Sequence, residues 1–279
     1  MNNRKLAEAN LTRMNNGNLQ MLKTVWITGA SSGIGAALSR AYSKNGYFII
    51  LSGRNRQKLV ITQQSLKDPK QSAIYSFDTT DYSLARSVAS EILDKYGCPD
   101  ITILNAGVSQ RDYAEGTALS VTQQIINTNF IANVNISNQL IPAFRSSQKK
   151  LVVISSVTGK LGTKKRSSYA ASKHALHGYY DSLRAELYGS DSTITIVCPG
   201  YVRTNISINA LLGNGDNQNS MDDDTNKGMS PEKFALKVLK SVEKNKREVY
   251  IGGFEILAIY IKRFFPNLLA KIIRRVNPK

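Results

Sequence analysis

The chain has 279 residues, with 37 Lys and Arg against 20 Asp and Glu, a net charge of +17. At about 100–200 residues per domain this makes one large or two small domains, long enough to bury a core without staples. The two cysteines, Cys98 and Cys198, exclude a disulfide framework or an unaided zinc site and suit a reducing compartment. The positive balance favours anionic partners, whether nucleotides, phosphorylated substrates, acidic lipids or nucleic acid.

Residues 1–21 are polar and Asn-rich, without a strand pattern, and are expected to form a flexible lead-in. They contain no apolar h-region, so they do not read as a secretory signal. No 18-residue run of uncharged apolar residues occurs, so no membrane-spanning helix is expected. From Leu22 onward, short β-branched runs alternate with helix-like stretches. Strands are predicted at Lys23–Thr28, Tyr47–Ser52, Ala73–Phe77, Asp100–Leu104, Leu151–Ser155, Thr193–Cys198 and Glu248–Ile251. Several of these runs are apolar throughout, as a parallel sheet covered on both faces requires. The expectation is one α/β domain over 22–254, a Rossmann-like doubly wound parallel sheet of seven strands with helices on both faces. Residues 205–230, rich in Gly, Asn and Asp, read as a lid or a disordered insertion.

The first strand runs into Thr28-Gly29-Ala30-Ser31-Ser32-Gly33-Ile34-Gly35 and then a helix ending at Gly46. Glycines let a dinucleotide's phosphates approach the backbone, and the helix N-terminus offers amide donors. A glycine-rich turn with no ligand has the same composition. The second strand ends Gly53-Arg54, with no carboxylate to take a ribose 2′-hydroxyl, which points to NADP(H) unless Arg54 is a plain surface residue. Asp78, after the third strand, can accept from an adenine amino group or simply form a turn.

Tyr169 and Lys173 stand four apart on a predicted helix, Tyr169–Tyr188, so phenol and ammonium share a face. A cation there favours the phenolate and lowers the phenol from its usual ~10. Such a Tyr can exchange a proton with a carbonyl or alcohol oxygen. Ser156, at the tip of the fifth strand, can hold the same oxygen. An isolated Tyr-x-x-x-Lys pair is also a common surface arrangement. His174 and His177 read as ordinary helix residues without clustered partners.

From about Lys23 to Gly253 the chain resembles the short-chain dehydrogenase/reductase family. The resemblance rests on TGASSGIG (28–35), LNAG (104–107), NTNF (127–130), SS (155–156), YAASK (169–173) and PGYVRT (199–204), in that order. It implies Tyr169 as general acid/base, Lys173 tuning it and binding the nicotinamide ribose, Ser156 polarising the substrate oxygen, and Asn129 holding a relay water. It implies cofactor contacts from Gly29, Ser31, Ser32, Gly33, Ile34 and Gly35 at the turn, and from Asn105, Ala106 and Gly107 beside the fourth strand. Pro199, Gly200, Val202 and Thr204 would meet the nicotinamide end. Leu104 stands where many members carry Asn. The stretch 155–187 looks most like the lipid, retinoid and steroid carbonyl reductases. The expected activity is metal-free hydride transfer between NADP(H) and a carbonyl or alcohol, on an apolar or lipid-like small molecule, by a homodimer or homotetramer.

Two basic segments stand outside these motifs. Thr163-Lys164-Lys165-Arg166 is either a solvated loop or a cluster at the site's mouth that attracts an anionic head group. Residues 255–279 combine large apolar residues with Lys262, Arg263, Lys271, Arg274 and Arg275, and Pro266 divides them into two helical pieces. This tail suits an anionic membrane surface, or packs back on the domain or on a second subunit. The expected address is cytoplasmic, with peripheral membrane contact as an extension. A catalytically silent dinucleotide-binding scaffold or sensor is the competing reading. Nucleic-acid binding finds no recognition motif to support it.

Overall fold

The computed structural model describes residues 11–15 and 18–275. In chain order the strands are β1 Thr12–Asn15, β2 Asn18–Met21, β3 Thr24–Thr28, β4 Phe48–Gly53, β5 Ser72–Ser76, β6 Ile101–Leu104, β7 Lys150–Ile154, β8 Thr193–Pro199 and β9 Glu248–Ile251. The helices are α1 Gly33–Lys44, α2 Arg56–Gln64, α3 Tyr82–Tyr96, α4 Leu119–Ile126, α5 Ala132–Ser146, α6 Ser167–Glu186, α7 Asp223–Asn226, α8 Pro231–Glu243, α9 Leu257–Phe264 and α10 Pro266–Arg275.

Strands β3 to β9 form one parallel sheet in the order β5-β4-β3-β6-β7-β8-β9. Successive side chains of a strand point to opposite faces. Val25 and Ile27 therefore meet Ala37, Leu38, Phe234 and Val238 on one face, while Trp26 between them joins Ala89, Ile136 and Leu140 on the other. The same alternation splits Ile49 and Leu51 from Phe48 and Ile50, and Val152 from Leu151 and Val153. Every position of β3, β4 and β6 is buried, as a parallel sheet covered on both faces requires.

Chain order reverses between β3 and β6, which lie side by side. Connections leave the sheet in opposite senses at such a point and open a crevice at the carboxyl ends of the strands. The glycine turn after β3 and the Asn105 segment after β6 both lie there.

Residues 12–15 and 18–21 differ from the sequence expectation, while residues 205–230 and the tail each take one of the alternatives it left open. Residues 12–21, expected without strands, pair as an antiparallel hairpin with Asn15 opposite Asn18. The sequence between the strands is Asn16-Gly17, a strong hairpin signal that the polar composition masked. Residues 1–10 of the expected lead-in, and 276–279 of the tail, lie outside the described residues. Residues 205–230 are ordered. Leu211 bridges to Gln110 and Val202 to Met229, and Ser207, Ala210, Asp222 and Thr225 are buried. The tail forms two helical pieces on either side of Phe265, and Ile259 and Leu269 pack on Val157 and Leu161 of the sheet domain. No helix among the described residues is long and apolar enough to cross a membrane.

Trp26 is fully buried, and its indole N–H donates to Ser52 Oγ at 2.8 Å. Ser52→Ala leaves that donor without a partner. The expected cost is about 1–3 kcal/mol of unfolding free energy, checked by urea denaturation.

Candidate functional site

The turn after β3 is shaped by what its glycines lack. Gly29 and Gly33 have φ of +64° and +53°, in the left-handed region that disfavours a side chain. A Cβ at Gly35 would lie 2.2 Å from the Gly29 carbonyl oxygen. Asn105 fixes the turn to β6, its Nδ2 donating to the carbonyls of Thr28 at 3.0 Å and Gly29 at 3.2 Å. In return, Thr28 Oγ1 accepts from the amides of Asn105 and Ala106 at 3.0 and 3.2 Å. The N-cap Ser32 makes no side-chain cap bond, so the first amides of α1 face the crevice without a side-chain acceptor from it. This bare cradle at a helix N-terminus fits a dinucleotide pyrophosphate.

At the tips of β4 and β5, exposed Arg54 lies 3.7 Å from Asp78. The other Asp78 oxygen accepts from the amide and hydroxyl of Thr80 at 2.9 and 2.7 Å. Ser31 sits beside Gly53, 3.5 Å from where a Cβ would stand. Ser31, Arg54 and Asp78 are thus gathered at one end of the crevice.

At the other end one cavity is lined by Ile34, Asn105, Gly107, Ser156, Tyr169, Lys173, Pro199, Gly200, Val202 and Thr204. Tyr169 is in the first turn of α6, and Ser156 follows β7. Ser156 Oγ accepts from the Thr158 amide at 3.1 Å and its hydroxyl at 2.9 Å, which leaves its own proton to donate. Lys173 Nζ donates to the Ile154 carbonyl at 2.9 Å and lies 5.8 Å from the Tyr169 ring centre. Asn129 sits in a π-turn, Asn127–Ile131, a distortion frequent at functional sites. It clamps Val108, accepting from its amide at 2.8 Å and donating to its carbonyl at 2.9 Å, and it also donates to Ser172 Oγ. A Cβ on Gly107 would come within 3.1 Å of Asn129 Oδ1 and 3.5 Å of Lys173 Nζ, so both polar groups converge where that residue has no side chain.

The expected electrostatics need a correction. Burial raises the Tyr169 phenol above its ordinary value, opposed by a hydrogen bond with Ser156 and then by the charges of Arg166 and Arg111. Lys173 is not among the opposing groups. Burial pulls its own ammonium down to about 8, and one of its three protons is donated to the Ile154 carbonyl. The positive N-terminal end of α6 adds to the arginines' field.

Sequence reasoning missed Gln110, Arg111 and Asp222 here, and left the place of Arg166 open. Gln110 Oε1 accepts from the amides of Ser168 and Tyr169 at 2.8 and 3.3 Å, capping α6 from a distant loop. Arg111 Nε and a terminal nitrogen donate to Asp222 Oδ2 at 2.9 and 2.6 Å, and this buried pair fastens residues 205–230 over the cavity. Arg166 lines the same cavity. The cluster 163–166 is therefore not a uniformly solvated loop.

His177 has partners after all. It is buried, with Nε2 3.0 Å from Ser155 Oγ and 3.7 Å from Cys198 Sγ, and Nδ1 3.3 Å from Glu248. Its two nitrogens face opposite partners, so the ring bridges β9 to the tip of β7. Lys160 meets Glu248 at 2.7 Å.

The short chain dehydrogenase family model matches residues 23–213. Dehydrogenase/reductase SDR family member 7B of Xenopus tropicalis is 36% identical over 267 residues, 92% of this chain and 86% of that protein. SDR family protein 7-like of Drosophila melanogaster is 32% identical over 253 residues, 88% and 78% of the two chains. A short-chain dehydrogenase structure from Streptomyces avermitilis superposes with a TM-score of 0.76 at 24% identity, covering 91% of this chain and 96% of that one. One from Burkholderia phymatum, in complex with NAD, gives 0.77 at 17%, covering 92% and 96%. At these identities the two structures share the fold.

Burial pushes the Glu248 carboxyl up, but hydrogen bonds from His177, Lys160 and Tyr250 and the charge of Lys160 outweigh it and hold it at about 2, below its ordinary 4.5. A depressed carboxylate stabilises the fold above its unfolded value and stops doing so as pH falls through its folded one. Urea unfolding of wild type and Glu248→Gln is expected to differ fully above pH about 4.5 and to converge as pH approaches about 2.

Proposed function

From the premise that this chain belongs to the short-chain dehydrogenase/reductase family, oxidoreductases on a dinucleotide-binding fold, we propose that it interconverts a carbonyl and an alcohol with NADP(H), Tyr169 being the general acid/base. The observation that carries this reading is the convergence of Ser156, Tyr169 and Lys173 on one cavity at the end of the glycine cradle. Arg54, with no acidic residue at the tip of β4, supports NADP(H) over NAD(H). The apolar wall formed by Ile34, Ile154, Val202 and Ile206 supports an apolar portion in the substrate.

Bound NADPH supplies a hydride to the carbonyl carbon. Ser156 donates a hydrogen bond to the carbonyl oxygen and fixes its position. Burial keeps the Tyr169 phenol protonated at neutral pH, ready to give its proton to that oxygen as charge develops. The phenolate left behind is stabilised by the α6 N-terminus and by the two arginines. Lys173 returns a proton to it, along a path that Asn129 borders. Oxidation of the alcohol reverses each step.

Tyr169→Phe is expected to lower turnover by about 10²–10⁴-fold while NADPH binding, followed by fluorescence, persists. A scaffold or sensor would be indifferent to this change. Arg54→Ala is expected to weaken NADPH binding and leave NADH binding unchanged, which compares the two cofactors directly.

Peripheral membrane contact is a second part of the proposal. Phe254, and on the tail Leu257, Phe264, Phe265, Leu268 and Ile272, are exposed, in a segment whose sequence carries six basic residues. Full-length protein is expected to pellet with anionic liposomes, and Phe264→Ser with Phe265→Ser to remain in the supernatant.

A further inference from the structure

His177 of α6, Cys198 of β8 and Glu248 of β9 come together from three elements, beside an apolar cluster that includes Leu176, Tyr180 and Ile196. A ring nitrogen, the thiol sulfur and a carboxylate oxygen lie within 4.8 Å of one another. Among the described residues no other three groups of these kinds gather so closely. The chain has two histidines and two cysteines, and one of each stands at this spot.

Hydrogen bonding within the protein does not account for the cluster. His177 Nε2 has Ser155 Oγ at 3.0 Å. Nδ1 is buried and, although 3.3 Å from Glu248, has no aligned hydrogen-bond partner. A buried ring nitrogen left in this way is costly unless a water or an ion meets it. Burial pushes the Cys198 thiol up to about 12, helped by the Glu248 charge and opposed by Lys160, Lys173 and a bond with Ser155. The carboxylate side of the cluster opens to solvent. The side chains of Glu248 and Lys160 are 23% and 25% exposed, and their charged atoms stand 2.7 Å apart. A cation is therefore already held at the entrance, as an ammonium on a flexible stem that reaches water.

Thiolate, imidazole and carboxylate are donors that zinc takes, at about 2.3 Å to sulfur and about 2.0–2.2 Å to nitrogen and oxygen. The softness of the sulfur disfavours magnesium and calcium. Thiolate and carboxylate together carry two negative charges, which balance a dication in a buried place, while a displaced lysine keeps its charge in water. Three protein donors leave one tetrahedral position for a water.

We propose that His177, Cys198 and Glu248 form a zinc site, in which Zn²⁺ takes the place of the Lys160 ammonium and ties α6 to β8 and β9. On binding, the S–H bond of Cys198 breaks, its proton passes to solvent, and the sulfur bonds the ion. None of the three donors lines the cavity that holds Tyr169, so the site stands apart from the proposed reduction and does not depend on turnover.

The test titrates the full-length protein, first freed of metal with a chelator, with Co²⁺ and then with Zn²⁺. Cobalt accepts the same donors and shows a thiolate-to-metal charge-transfer band in the near ultraviolet. Wild type is expected to develop this band and to lose it as Zn²⁺ displaces Co²⁺. Because the chain has two cysteines, the band is expected to persist in Cys98→Ser and to vanish in Cys198→Ser. His177→Gln and Glu248→Gln are expected to weaken Zn²⁺ binding by more than about 100-fold, since even an outer-shell partner is worth about 10–100-fold. His174→Gln is expected to leave it unchanged. Lys160→Met keeps every donor and removes the competing ammonium, and is expected to bind Zn²⁺ about ten-fold tighter. The proposal is overturned if wild type forms no thiolate band, if the band is lost with Cys98, or if His177→Gln binds Zn²⁺ as wild type does. Weaker or unchanged binding in Lys160→Met overturns the exchange of one cation for the other. Should Cys198→Ser not fold, Cys98→Ser and Lys160→Met still decide the matter, because neither removes a donor.

Discussion

The side chain of Asn105 and the hydroxyl of Thr28 exchange hydrogen bonds with each other's backbone, and this clamp closes the seam between β3 and β6. It works only because Gly29 carries no side chain, as a Cβ there would press on Ala106 Cα at 2.9 Å. The glycine turn, the start of α1 and the approach to Gly107 all inherit their positions from it. The crevice is thus less a gap between two halves of a sheet than a surface fixed at its narrowest point.

Opposing effects meet at Tyr169. A buried phenol resists ionisation, whereas a helix N-terminus and two guanidinium groups favour the anion. In the role proposed for Tyr169, an acid that gives up its proton only when charge builds on a neighbouring oxygen benefits from both. It stays protonated at rest, and its conjugate base is met by charges already in place. Lys173, one helical turn on, donates to the Ile154 carbonyl, and burial lowers its own ammonium.

The fold was legible in the sequence because its signals are local. Val25, Trp26 and Ile27 are apolar in succession since both sheet faces are covered, and the TGASSGIG and YAASK motifs carry their geometry within one turn. The pairing of 12–15 with 18–21 escaped notice because that stretch is mostly polar, although the sequence Asn16-Gly17 between them is a hairpin signal. The wall of the substrate end was illegible for a different reason. Arg111 and Asp222 are 111 positions apart, and Gln110 caps a helix 58 positions away. Nothing within a short window marks either pairing. The loop 205–230, which reads as a lid or a disordered insertion from composition, is tied down by that distant pair.

Gly200 and Glu255 show what one missing side chain can impose. A Cβ at Gly200 would fall 1.9 Å from Glu255 Oε1, the oxygen that receives the amides of Tyr201 and Gly253. The carboxylate fills the notch that the glycine leaves, and so seats the start of the tail against the end of β8. These two positions form a lock in sequence space. Neither can drift alone, and any descendant that gains bulk at the first must surrender the acid at the second and find another way to anchor its C-terminus.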